Sequence, residues 1–219
     1  MPGVTPPVFA VGADPGQHAG LALVQHVDGA RPRLVRAWAI HGSTYAPWTR
    51  RARAAAVELV SAIETLGAAP SDVRGWIEEP PPAVRKGALG GASRAESAWA
   101  GIGRRQEGIR GAVWTASQER LELLRVDNAD WTWTLGGGDR GVAKAKWGDG
   151  THRIREAGWH LEGAADELAA IPAACRIDVA EACLIALACL RNARGERAYT
   201  GMSPSERRRH YAQARRAQG

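Results

Sequence analysis

The chain has no uninterrupted apolar run near the ~20 residues that a membrane-crossing helix requires. Its first residues, Met1-Pro2-Gly3-Val4-Thr5-Pro6-Pro7, lack the basic segment and apolar stretch of a secretory signal. The expectation is a soluble cytoplasmic protein with no membrane partner. Cysteine is scarce: Cys175, Cys183 and Cys189 are the only three among 219 residues. Their number is odd, no pair has C-x-x-C spacing, and no histidine lies near them at ligand spacing along the chain. That argues against a disulfide framework or a zinc site, and for core thiols in a reducing compartment. No internal repeat is visible. The glycine-rich stretch Gly136-Gly137-Gly138-Asp139-Arg140-Gly141 lacks the G-K-[ST] ending of a phosphate-binding P-loop. One phenylalanine stands against nine tryptophans, and 26 of the 29 basic residues are arginine.

A chain of this length suits one domain with a sizeable core. Its charge is unevenly spread. Residues 191–219 hold eight arginines against Glu196 and Glu206, which leaves 21 basic and 21 acidic residues before Arg191. The body is neutral and the end carries the surplus, an arrangement suited to phosphates. Ser203-Pro204-Ser205-Glu206 has capping-box spacing ahead of a basic helix to about residue 216.

Val8 to Val11 is an apolar run that leads to Asp14. Pro15-Gly16 then turns the chain, and Gly20-Leu21-Ala22-Leu23-Val24 returns, a hairpin with an acid closing its first strand. Leu34 to Ile40 reads as a third strand, and Trp48 to Leu66 as a helix stopped by Gly67. Val73 to Ile77 is a short strand that ends in Glu78-Glu79 and is cut off by Pro80-Pro81-Pro82. A glycine-bearing helix is expected from about Ala95 to Ala116, a last strand over Leu121–Val126, a mixed stretch from Trp131 to Lys146 and a helix over Thr151–Trp159. Arg176 to Leu190 is a strongly apolar helix, with Asp178 and Glu181 on one face near its start.

This order implies an α/β sheet in which three antiparallel strands lead into parallel ones. Sites in such sheets gather at the carboxyl ends of strands, where Asp14 and Glu78 both fall. Each acid taken singly has an ordinary explanation. Asp14 suits a turn, Glu78 or Glu79 a strand end, and Asp178 and Glu181 a helix dipole. Together they propose a cluster of four carboxylates. Such anions repel unless hard divalent cations neutralise them, and oxygen-only ligands suit Mg²⁺ or Mn²⁺. Two such ions ~4 Å apart serve phosphodiester cleavage.

The hairpin Val11-Gly12-Ala13-Asp14-Pro15-Gly16 with Gly20-Leu21-Ala22-Leu23 resembles the opening of RuvC-type Holliday junction resolvases, of the RNase H-like superfamily. Trp76-Ile77-Glu78-Glu79 is similar to that family's second acidic motif, and Ile177-Asp178-Val179-Ala180-Glu181-Ala182 to its closing motif. The resemblance spans residues 8 to about 190. It implies an RNase H-like five-stranded mixed sheet flanked by helices over residues 1–195, with 196–219 a basic tail. It further implies a nucleoid-associated homodimer that cuts four-way DNA junctions symmetrically, with two Mg²⁺ or Mn²⁺ ions on Asp14, Glu78, Asp178 and Glu181. Lys144 falls where the family has a lysine near the scissile phosphate, and Lys146 is its alternative. Arg140, Lys144, Lys146, Arg207, Arg208 and Arg209 are the expected DNA contacts, with Trp131, Trp133 and Trp147 as candidates for base stacking. The chain has Glu181 where the family usually has Asp or His. It has Pro80-Pro81-Pro82-Ala83 where bacterial members place an aromatic that engages the junction. Flaps, forks and RNA–DNA hybrids are the alternative substrates, and a non-catalytic junction binder the alternative class. An actin-like phosphotransferase opens on a similar hairpin but needs two such domains and over ~300 residues.

Overall fold

A seven-residue strand, β1 (Val8–Asp14), occupies the middle of the sheet, and the remaining elements are placed by their relation to it. The structure, a computed structural model, describes residues 8–16, 18–42, 45–79, 92–136 and 150–194. Five strands run in the order β3-β2-β1-β4-β5. β2 (Gly20–His26) returns antiparallel to β1 with Asp14 opposite Gly20. β3 (Arg33–Ala39) is antiparallel to β2, with a register shift at Leu23/Val24. β4 (Arg74–Glu79) lies parallel to β1 with Ile77 beside Ala13. β5 (Leu123–Asp127) is parallel to β4 with Val126 beside Glu78. This is the mixed five-stranded α/β sheet that the order of segments implies.

Alternation along β1 separates two cores. Phe9, Val11 and Ala13 face one layer, with α1 (Tyr45–Thr65) and α2 (Ala92–Ala116). Ala10 faces the other, formed by α3 (Asn128–Gly136), α4 (Gly150–His160), α5 (Ala164–Ala170) and α6 (Arg176–Ala193). The same period puts Gly12 and Asp14 on the α6 side. In β4, Ile77 belongs to the first core and Trp76 to the second. Glu78 therefore shares the α6 side with Trp76, and Glu79 falls on the opposite face. That parity resolves which member of the Glu78-Glu79 pair faces Asp14.

α6 is buried without interruption from Val179 to Leu190. It lies across β1, β2 and β4, and α3 and α4 cover its outer side. Such an element is apolar all round, as its sequence is. It sits unusually close to the sheet because β1 and β2 present glycine to it. A Cβ on Gly12 would stand 2.1 Å from the Ala182 carbonyl oxygen, and one on Gly20 would stand 2.5 Å from that of Asp178. Both contacts are with backbone, so a side chain at either position would push the helix away.

The first helix covers Tyr45–Thr65 and the second begins at Ala92, close to expectation. β5 starts at Leu123 rather than Leu121, although Leu121 is buried. Its N–H is held by the Ser117 hydroxyl instead of a neighbouring strand. Asn128–Gly136 forms α3, which takes in the start of the stretch expected to be mixed from Trp131 to Lys146, and α5 lies where the sequence shows no element. Among the described residues, no helix is long and apolar enough to cross a membrane.

Candidate metal centre

Asp14 closes β1, Glu78 sits next to last in the parallel strand beside it, and Glu181 lies in the second turn of α6. The close approach at Gly12 and Gly20 brings the helix onto these strand ends. One carboxylate oxygen from each of the three acids lies within 4.8 Å of the others. Asp14 and Glu181 are buried, at 6% and 7% exposure, so their charges are poorly hydrated. Asp178, one turn before Glu181, does not join this tight set. Its Oδ2 accepts a hydrogen bond of 2.8 Å from the His18 N–H, in the turn between β1 and β2. It still lies close enough to Asp14 to repel its charge.

Each acid is oriented by its own partner. Asp14 Oδ1 accepts from the Gly16 N–H at 3.0 Å. Glu78 is held at both oxygens: Asn128 Nδ2 donates to Oε1 at 3.1 Å and Trp131 Nε1 to Oε2 at 2.9 Å. Gln106 from α2 donates to the Glu78 carbonyl at 3.0 Å. Glu181 forms an ion pair with Arg153 of α4.

Burial raises the pKa of Asp14 well above the usual carboxylate range, and repulsion from Glu78 and then Asp178 adds to it. The Gly16 N–H and Arg153 oppose that rise. Burial also raises Glu78, offset by the Asn128 and Trp131 donors and by Arg153. Three converging acids, with protonation pushed upward at Asp14 and Glu78, form an electrostatic deficit. Arg153 offsets part of it, and a divalent cation at the same place would offset more. The donor set is oxygen only, which fits Mg²⁺ or Mn²⁺.

Two features of this centre were not expected from the sequence. One is Arg153, which begins a four-residue series with Ala157 and Leu161, both buried. A cation heading a buried stripe is a readable signal for a buried partner. Trp131, expected as a stacking platform for bases, is instead fully buried, with its ring in the core and its N–H on Glu78. A hydrogen-bonded indole with no exposed face cannot stack on a base. Arg140, Lys144, Lys146, Trp147 and Arg207–Arg209 lie outside the described residues, as does the side chain of Trp133. Pro80-Pro81-Pro82 and the whole of 196–219 lie outside them too.

No protein-family profile matches the sequence, and no curated protein does. Solved structures do. The Thermus thermophilus RuvC structure matches with a TM-score of 0.53 at 18% identity, over 88% of this chain and 99% of that one. The T. thermophilus RuvC in complex with Holliday junction substrate gives 0.54 at 19%, over 86% and 97%. At such low identity the likeness establishes the fold: this chain has a RuvC-like arrangement of sheet and helices.

Proposed function

We propose that the chain is a divalent-metal-dependent endonuclease that cuts branched DNA, foremost four-way junctions, as a homodimer. The observation that carries this reading is the convergence of Asp14, Glu78 and Glu181 at the carboxyl ends of two parallel strands. The RuvC-like fold and the order of the acidic motifs support it. Residues 1–195 form the nuclease domain in this reading, and 196–219 a basic tail on the DNA backbone.

Mg²⁺ or Mn²⁺ held by Asp14, Glu78 and Glu181, with Asp178 at the margin, would supply an activated water and charge neutralisation at the scissile phosphate. The chain's own residues prepare that chemistry. Asn128 and Trp131 fix both oxygens of Glu78, so its carboxylate cannot rotate away from the shared centre. The Gly16 and His18 amides hold Asp14 and Asp178 to the turn between β1 and β2. Arg153 pairs with Glu181, opposes the rise in the pKa of Asp14 and Glu78, and would balance negative charge brought by a phosphate. Lys144, with Lys146 as its alternative, approaches the phosphate in this proposal, and Arg140 and Arg207–Arg209 hold the flanking backbone.

The test is cleavage of a synthetic four-way junction in Mg²⁺, with a flap, a fork and an RNA–DNA hybrid alongside. Cleavage dependent on metal is expected, fastest on the junction. Asp14→Asn should lower the rate by two orders of magnitude or more, on the order of what losing a charge-stabilising group costs. An undiminished Asp14→Asn rate refutes the mechanism. Faster cutting of flaps or hybrids would shift the substrate, consistent with Pro80-Pro81-Pro82 in place of the junction-engaging aromatic.

A further inference from the structure

Beside the carboxylates stands a second group of ligating side chains with different chemistry. His18, His41 and Cys175 each offer one ligand atom, and these atoms lie within 4.8 Å of one another. The two imidazoles turn Nδ1 toward Nδ1 at 2.9 Å, with ring centroids 4.9 Å apart and planes inclined by 42°. Cys175 is 1% exposed, at the end of the 3-10 turn Ala173–Cys175 that leads into α6. The contact between the two imidazoles is a single hydrogen bond, which leaves the sulfur without a part in it. Only one of them can donate to the other.

The three residues come from separate segments: the turn between β1 and β2, the residues just after β3, and the entry to α6. Spacing along the chain therefore shows no histidine near Cys175, and the zinc exclusion drawn from that spacing does not reach this arrangement. We propose that His18, His41 and Cys175 form a structural site for a borderline-soft divalent transition metal, Zn²⁺ by its ligand set. Two imidazole nitrogens and one thiolate are a zinc donor set, unlike the all-oxygen group of Asp14, Glu78 and Glu181. Tetrahedral zinc, with bonds of about 2.0–2.3 Å, sets its ligand atoms roughly 3.3–3.8 Å apart. The imidazole pair would open by about half an ångström to admit the ion. Asp178 adjoins the group: it accepts the His18 N–H and lies within electrostatic reach of Cys175.

Bound there, zinc would tie the turn that follows Asp14 to the start of the helix that carries Asp178 and Glu181. Its role is to hold the carboxylate centre together, and the inference does not depend on the nuclease reading. The experiment uses the full chain, stripped with a chelator and titrated with Co²⁺ and then Zn²⁺. With Mg²⁺ in excess to occupy the carboxylates, a near-ultraviolet thiolate-to-cobalt absorption is expected that saturates at one equivalent of Co²⁺ and that Zn²⁺ abolishes, and zinc should raise the melting temperature. His41→Gln, at an exposed residue, should weaken binding roughly 10–100-fold. Cys175→Ser should abolish the absorption, whereas Asp14→Asn should leave it intact. Absence of the absorption in the parent chain overturns the site, as does an affinity unchanged in His41→Gln. Should Cys175→Ser fail to fold, the affinity of His41→Gln alone decides. Loss of the absorption in Asp14→Asn would show that the thiolate takes metal only as part of the carboxylate centre, and would overturn the separate site equally.

Discussion

Ionising Asp14 is costly, because burial and two neighbouring acids all oppose it. Its folded pKa stands above its unfolded value. The metal-free protein therefore draws stability from a protonated Asp14 below about pH 4, and loses it as pH rises through the folded value. Asp14→Asn removes the ionisation, so the metal-free variant should melt higher than the parent. A difference of roughly 2–4 °C is expected, the shift made by about 1 kcal/mol in a chain of this size. The gap should widen from pH 5 to pH 8 and close when Mg²⁺ is added to the parent. Thermal unfolding with and without Mg²⁺ checks this, and a gap that ignores pH would contradict it. Trp131 offers the complementary case. Trp131→Phe keeps most of the buried ring but removes the donor to Glu78 Oε2. Metal affinity, read by Mn²⁺ titration, should fall about 10-fold, at the lower end of what losing a group that orients a ligand costs. An unchanged affinity would mean that the indole N–H does not orient Glu78.

The acids were legible in combination, because Asp14, Glu78 and the Asp178–Glu181 pair fall in order at two strand ends and a helix start, although each alone has an ordinary explanation. Their partners were not. Asn128, Trp131 and Arg153 reach the site from helices whose placement depends on the closed fold, and nothing in their local sequence states that closure. The difference between Asp178 and Glu181 was equally hidden. Both lie on one helical face, yet the shorter side chain is taken by the His18 amide while the longer one reaches the other acids.

Elements were readable in proportion to their length and burial. β1, β2 and α6 announce themselves by unbroken apolar character, since each is covered on both sides. α5 spans only seven residues, with Ala164 and Leu168 as its buried positions, too few for a period to show. α3 is nine residues long and faces similar difficulty. Which two elements would touch most closely was written in the glycines of the hairpin. Gly12→Ala tests that contact directly. Its Cβ meets the Ala182 oxygen and the Ala186 nitrogen at 2.1 and 2.2 Å, both backbone atoms of a helix packed on its far side. The helix cannot yield locally. A loss of about 2–3 kcal/mol is expected, at the upper part of the range for overpacking a core. Denaturant unfolding measures it. Gly101→Ala, with open space around the added carbon, should be neutral or slightly stabilising.

At the scale of the whole molecule, the sheet order explains why the acids meet. β1 has an antiparallel neighbour on one side and a parallel one on the other, so two strand ends and one turn open at the same edge beneath the start of α6. That edge is anionic, and the DNA of the proposed function would have to be brought to it against repulsion. The body before Arg191 offers no net attraction, with 21 basic and 21 acidic residues. The surplus lies beyond it. Residues 196–219 contain six arginines (197, 207, 208, 209, 215 and 216) and two glutamates (196 and 206), six minus two leaving four positive charges. If those arginines sit on phosphates, their removal subtracts counterion release without touching the carboxylates. A chain ending at residue 195 should bind junction DNA more weakly, and log K should depend less steeply on log salt by about 2–4 units. Metal binding at the carboxylates, and the cleavage rate at saturating DNA and low salt, should stay within a few-fold of the full chain. Binding measured at several salt concentrations checks this. An unchanged slope would show that the tail is a solvated end, and would move the search for phosphate contacts to Arg140, Lys144 and Lys146.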